Sequence, residues 1–294
     1  MKISPFRGRF LYICEKVHIG QKGTVICMGR SIFSIVTLPV FVLIAAITGM
    51  PLSAQASESQ MPHLIQTVTE QDIYEGMLAL DLFKTPVLET EDCAKAYENV
   101  KSCVVRVQMG NAHGSGIIWE ITSEKIIVAT NKHVLEYWRD EDSYVYFEQG
   151  HYADAAIIGV SEKCDVGFLG IDTYQFSYEE LEQFRTARID EEIYVKLRQG
   201  DEMFSVDSAS DAEEASYFEA TVGDTHMYID YFDAYMLYGY GFAKEGMSGG
   251  GTFDGHGYLI GMTTGGTYQN ETAGIPLPDI VEAYEAVVQA KPGT

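Results

Sequence analysis

From Cys103 onward the chain is cut into short apolar runs, each of strand length and each closed by Gly, Asp, Asn or a charged cluster. Runs this short fit single strands of a sheet far better than helices. A first set reads Cys103–Met109, Gly116–Ile121, Lys125–Ala129, Tyr144–Phe147, Ala153–Val160 and Val166–Gly170. A second reads Glu192–Lys196, Glu202–Val206, Tyr217–Val222, His226–Tyr231, Ala234–Tyr240, Gly250–Phe253 and Tyr258–Thr264. The polar connector between them contains Ser177-Tyr178-Glu179-Glu180, whose capping-box spacing opens a short helical piece to about Arg185. After the second set, Ile275-Pro276-Leu277-Pro278 leads into an amphipathic helix over about 279–290, with Ile280, Val281, Tyr284, Val287 and Val288 at helical spacing. The pattern predicts an all-β fold of two six-stranded barrels, about 99–172 and 190–272, closed by one helix. Abundant Gly (28) and Tyr (19) suit such turn-rich β structure.

The front of the chain is different in kind. Residues 1–56 carry six Lys/Arg against one Glu, and no charge occurs between Ser31 and Ser57. Ile32–Met50 is almost wholly apolar, and Ala54-Gln55-Ala56 follows as a small-residue cleavage pattern. Together these predict a secretory signal and an exported body. A retained membrane anchor through 31–50 is the competing reading, since the run is just long enough to span a bilayer. Starting at Met28 gives a more compact leader of the same kind. Residues 57–98 read as a linker with a leading helix around Gln71–Leu82.

Net charge is −23 overall, so the part after residue 56 stands near −28. Such a surface repels phosphate backbones and argues against nucleic acid as a partner. It reads as a solvated acidic surface, with attraction of basic polypeptides as a second reading. Beyond the leader three cysteines remain. Cys93 and Cys103 are either a disulfide in an oxidising compartment or two unpaired buried thiols, and Cys164 has no evident partner. No cysteine spacing suits a metal, and no cofactor is called for.

Three local strings carry chemistry. Gly246-Met247-Ser248-Gly249-Gly250 sets a serine among glycines, where the backbone can turn tightly enough for the N–H groups of Gly246 and Ser248 to face an oxyanion. Ala129-Thr130-Asn131-Lys132-His133-Val134 offers His133 as a general base at a strand end. Asp165-Val166-Gly167-Phe168-Leu169 offers Asp165 to orient the imidazole. Each string alone is ordinary: a turn, a surface histidine, a strand-end aspartate. Their order His, Asp, Ser, at gaps of 32 and 83 residues, is one of the known triad orders.

These strings, with Gly114-Ser115-Gly116-Ile117-Ile118, Gly261-Met262-Thr263-Thr264-Gly265-Gly266 and Ala273-Gly274-Ile275-Pro276, resemble trypsin-like serine peptidases, closest to the HtrA (DegP-like) branch. The resemblance covers about 99–290. It implies a chymotrypsin-like double barrel with the site between barrels, a Ser-His-Asp endopeptidase mechanism and polypeptide substrates. It further implies that Thr264 lies beside the triad and that Gly266 pairs with substrate backbone. Phe242, six residues before Ser248, falls at or near the base of the primary specificity pocket, which favours a small or medium apolar residue before the scissile bond. The sequence departs from the family at Met247, where Asn or Asp is usual, and at Gly251, where Pro is usual. No PDZ domain or zymogen-activation sequence is expected. A catalytically inactive, peptide-binding relative and a membrane-anchored interaction module are the rival readings.

Overall fold

A computed structural model of the chain describes Leu11–Tyr12, Glu15–Lys16 and residues 68–289, apart from 149 and 209–215. The basic leader's apolar run 31–50, its cleavage pattern and Met28 lie outside the described residues. No helix among the described residues is long and apolar enough to cross a membrane.

The described chain opens with helix α1 (Glu70–Ala79), started by a Thr69/Asp72 capping box, and α2 (Cys93–Val100), capped by Asp92. An antiparallel sheet follows, built from β1 (Val104–Met109), β2 (Ala112–Ile121), β3 (Lys125–Thr130), β4 (Ser143–Phe147), β5 (Ala156–Val160) and β6 (Gly167–Asp172). Its spatial order is β4-β1-β2-β3-β6-β5, with the two-residue piece Tyr152–Ala153 outside β4. A one-turn helix α3 (Lys132–Leu135) leaves the end of β3, and α4 (Tyr178–Leu181) and α5 (Glu191–Lys196) occupy the connector. The second sheet contains β7 (Glu202–Asp207), β8 (Ser216–Ile229), β9 (Ala234–Gly241), β10 (Gly251–Asp254), β11 (Tyr258–Thr267) and β12 (Glu271–Pro276). Its order β11-β10-β7-β8-β9-β12 is closed by a β11–β12 pairing, making a complete six-stranded barrel. The first sheet curls without that closing ladder. Helix α6 (Leu277–Tyr284) runs on as a π turn over Glu285–Gln289.

Strand periodicity explains how the two halves join. In β2 and β3, Ile118, Ile126 and Val128 face the interior of the first barrel, with Val105, Leu169 and Phe147. Their neighbours Ile117, Trp119, Ile127 and Ala129 face the other way, into a core shared with Phe204, Phe253 and Met262 of the second barrel. Side chains alternate across a strand, and here both faces are buried, so the runs read as continuously apolar. Met203, Val222, Leu237 and Ile260 fill the second barrel's own interior. Tyr284 of α6 packs against Trp119 and Phe168 of the first barrel and donates a hydrogen bond to Glu120.

Several local expectations change. Glu192–Lys196 is helix α5 rather than a strand: Asp190 caps it through the Glu192 N–H, and Glu191 and Glu192 favour its N-terminal turn. Tyr217–Val222 and His226–Ile229 belong to one long strand, β8, whose bulges between Val222 and Met227 break the apolar pattern, and Asp230–Tyr231 fall in the turn after it. Glu271–Pro276, expected only as the lead into a helix, is the strand that closes the barrel. Ala153–Val160 is interrupted before Ala156, and the final helix begins at Leu277. The Ser177 capping box is formed as expected, on a shorter helix.

Cys93 and Cys103 are two free, buried thiols. Cys93 opens α2 and Cys103 follows its end. Ten helical residues rise about 15 Å, whereas a disulfide needs α-carbons within about 7 Å. Burial pushes the Cys103 thiol far above its ordinary value and that of Cys93 up to about 11.

Candidate active site

The half of the site that holds His133 and Asp165 grows out of the first barrel. β3 ends at Thr130, and the chain turns at Asn131 into α3, which carries His133. Asp165 precedes β6, the neighbour of β3 in the sheet. His133 Nδ1 lies 2.6 Å from Asp165 Oδ2, and the His133 backbone N–H donates to Asp165 Oδ1 at 2.9 Å. The Asp165 carbonyl accepts from the Lys132 N–H at 3.3 Å and from Asn131 Nδ2 at 2.9 Å. With a carboxylate accepting from Nδ1–H, Nε2 is left as the basic nitrogen. Both side chains are shielded, at 10% and 19% exposure.

The serine half grows out of the second barrel. Phe242 to Gly250 links β9 to β10. The Met247 N–H returns to the Lys244 carbonyl at 3.3 Å, and Gly246 has φ 93°, the arrangement of a turn that needs glycine at its third position. Gly249 has φ 88°, and a β-carbon there would lie 2.2 Å from the Ser115 carbonyl oxygen. Ser248 is fully buried; its hydroxyl donates to the Thr264 carbonyl at 3.2 Å and its own carbonyl accepts from the Ser115 N–H at 2.8 Å. Ser115 Oγ also donates to the Gly246 carbonyl at 2.7 Å.

Met247 and Gly251, where the sequence leaves the family pattern, both have local reasons. Met247 is wholly buried and its sulfur accepts from the Lys244 N–H. A β-carbon on Gly251 would stand 2.4 Å from the Phe253 ring.

Asn131 spans the two halves. Its Nδ2 reaches the Asp165 carbonyl and also Thr264 Oγ1, at 3.1 Å, while the Thr264 carbonyl holds the Ser248 hydroxyl. Thr264 thus touches both Ser248 and Asn131. Gly266 lies in β11 opposite Thr272, and on its other side the strand pairs with Leu11–Tyr12. Glu15–Lys16 pairs with Ala112–His113 of β2. Phe242 is 47% exposed and packs on Phe218, with ring centroids 5.2 Å apart. A cleft of about 690 Å³ opens beside the pair, lined by His133, Asp165, Thr264, His226, Phe232 and Tyr235 among others. Among the described residues no cluster of His, Cys, Asp and Glu could hold a metal ion.

Asn131 and Ser115 stand in the sequence strings with no role of their own. Their partners lie 133 and 131 residues away, so no local pattern assigns one.

A family model described as a trypsin-like peptidase domain matches residues 114–262, the span holding all three candidate triad residues. The chain belongs to that family. No curated protein matches it. Among solved structures, this trypsin-like peptidase is similar to the inactive form of a serine-to-alanine mutant of Rv3671c from M. tuberculosis. Identity is 15% and the TM-score 0.54, over 71% of this chain and 100% of that one. It is also similar to the HtrA-type protease AlgW, as a mutant with a decapeptide (16% identity, TM-score 0.56, 67% of each chain). AlgW with a tripeptide gives 18% identity and TM-score 0.56, over 68% of this chain and 64% of that one. At these identities the likeness shows the fold: a chymotrypsin-like pair of barrels of the HtrA-like kind.

Proposed function

We propose that this trypsin-like peptidase is an exported serine endopeptidase in which Ser248 is the nucleophile, His133 the general base and Asp165 the residue that orients it. The observation that carries the reading is the Asn131–Thr264 link, since one pair of side chains fastens the Asp165 loop to the Ser248 loop across the seam. In the reaction, Ser248 Oγ passes its proton to His133 Nε2 and attacks the scissile carbonyl. The N–H groups of Gly246 and Ser248 receive the oxyanion. The imidazolium returns the proton to the departing amine, leaving an acyl-enzyme that water opens by the same steps in reverse. Asp165 keeps the imidazole in the tautomer that this exchange requires.

Polypeptide substrates are supported by the peptide complexes of AlgW. Thr264 is the proposed wall for the chain being cut; Gly266 is its proposed backbone partner once cleavage after Ala56 removes Leu11–Tyr12 from that strand edge, and Phe242 a proposed contact for an apolar residue before the bond. Export is supported by the basic lead, the charge-free run 31–57 and Ala54-Gln55-Ala56. The test is reaction with a fluorophosphonate probe, with the adduct mapped by mass spectrometry. A stoichiometric adduct on Ser248 that His133→Ala abolishes is expected, and Ser248→Ala should cut peptide hydrolysis by about 10⁴-fold or more. A folded chain that takes no label points instead to an inactive peptide-binding relative.

A further inference from the structure

Beneath the loop that carries the proposed oxyanion donors lies a charge that the mechanism above does not use. Asp207 ends β7, and its side chain is only 1% exposed. Lys244, four residues before Ser248, places Nζ 2.8 Å from Asp207 Oδ2 and 5.2 Å from the centre of the Phe218 ring. Asp207 Oδ1 stands 3.7 Å from where a β-carbon on Gly246 would be. His113 Nε2 is nearer still, at 2.7 Å from that position, so the imidazole and the carboxylate together lie against the peptide that carries one proposed oxyanion donor. At its other end the loop is tied by Ser115, to the Gly246 carbonyl through Oγ and to the Ser248 carbonyl through N–H.

We infer that Lys244 is a positioning residue for catalysis: its ion pair with Asp207 pins the start of the nucleophile turn and neutralises the carboxylate beneath the oxyanion site. The inference rests on the protease reading above. Two physical consequences follow from the geometry. A preorganised donor is effective only if its backbone is held before charge develops. Without the Lys244 cation, more of the buried carboxylate's negative charge would face the oxyanion through a medium that screens it poorly. Lys244 serves both needs from within the turn itself, since its carbonyl also accepts the Met247 N–H. Ring contact and ion pair together fix the ammonium in one place.

The test measures fluorophosphonate labelling of the full chain as separate kinact and KI values, with thermal unfolding as the check on fold. Lys244→Met is expected to lower kinact by about 10²-fold, the scale of losing one oxyanion donor, with KI little changed. Lys244→Arg, which keeps a cation against the carboxylate, should recover most of the rate. Should Lys244→Met fail to fold, the Lys244→Met/Asp207→Asn pair removes the carboxylate's charge as well; it should fold and remain at least about tenfold slow, because the pin is still missing. A kinact unchanged in Lys244→Met, a loss residing wholly in KI, or a double variant as fast as wild type overturns the inference while leaving Ser248 as nucleophile. A folded wild-type chain that takes no label at all overturns the protease reading and this inference with it.

Discussion

The two halves of the site are held by different means. On the first barrel, His133 and Asp165 are fixed by hydrogen bonds: side chain to side chain, His133 N–H to carboxylate, and Lys132 N–H and Asn131 Nδ2 to the Asp165 carbonyl. On the second barrel, Ser248 is fixed by backbone shape, with Gly246 and Gly249 both at positive φ and both pressed against neighbours. Hydrogen bonds can be removed one at a time while the chain keeps its path. A turn that only glycine can make has no intermediate setting. The half that holds His133 and Asp165 should therefore lose rate when altered, and the half that holds Ser248 should lose structure.

The strongest test of that contrast is Asp165→Asn. The amide should keep the fold and the thermal midpoint while lowering kcat by about 10⁴-fold, because the imidazole is held in the wrong tautomer. A large drop in midpoint would place Asp165 among the structural residues and erase the distinction. Next comes Gly249→Ala. A side chain at φ 88° costs about 1–3 kcal/mol before any clash, and the 2.2 Å approach to the Ser115 carbonyl adds to it. The midpoint should fall by roughly 5–10 °C, read by calorimetry, and labelling should disappear with it; an unchanged midpoint would show that the loop can relax. The smallest effect belongs to Asn131→Ala, which removes a hydrogen bond to the Asp165 carbonyl and another, across the seam, to Thr264. A loss of about tenfold in kcat with little change in KM is expected, since a hydrogen bond contributes on the order of 1 kcal/mol. A purely KM effect would move Asn131 from the dyad's support to the substrate's.

This contrast also marks what the sequence could disclose. Ser248, His133 and Asp165 sit in strings whose meaning is local: glycines around a serine, a histidine at a strand end, an aspartate opening an apolar strand. So do the strands β1 to β4 and β9 to β11, whose apolar runs end where turn residues begin. Asn131, Ser115 and the Lys244–Asp207 pair act through contacts made only after two barrels meet, and residues of their type are everywhere on protein surfaces. Glu192–Lys196 misled because its apolar Ile193 and Val195 alternate as a strand would, while the Asp190 cap decided for a helix. β12 hid because Gly274 and Pro276 read as punctuation, yet the strand's value lies in the two neighbours it joins. Free Cys93 and Cys103 were one of two readings, separated only by the helix that keeps them apart.

Helix α6 sets a schedule for the whole molecule. It follows every strand in the chain, yet its Leu277, Ile280 and Tyr284 belong to the shared core, and Tyr284 reaches Trp119, Phe168 and Glu120 of the opposite barrel. A ribosome making this chain releases His133 and Asp165 long before Ser248, and Ser248 before the helix that packs across the seam. The growing chain thus carries the pieces of a cutting edge for most of its synthesis without an assembled blade. By the same logic, a nick just before Leu277 would leave every described strand intact while freeing the helix that packs across the seam.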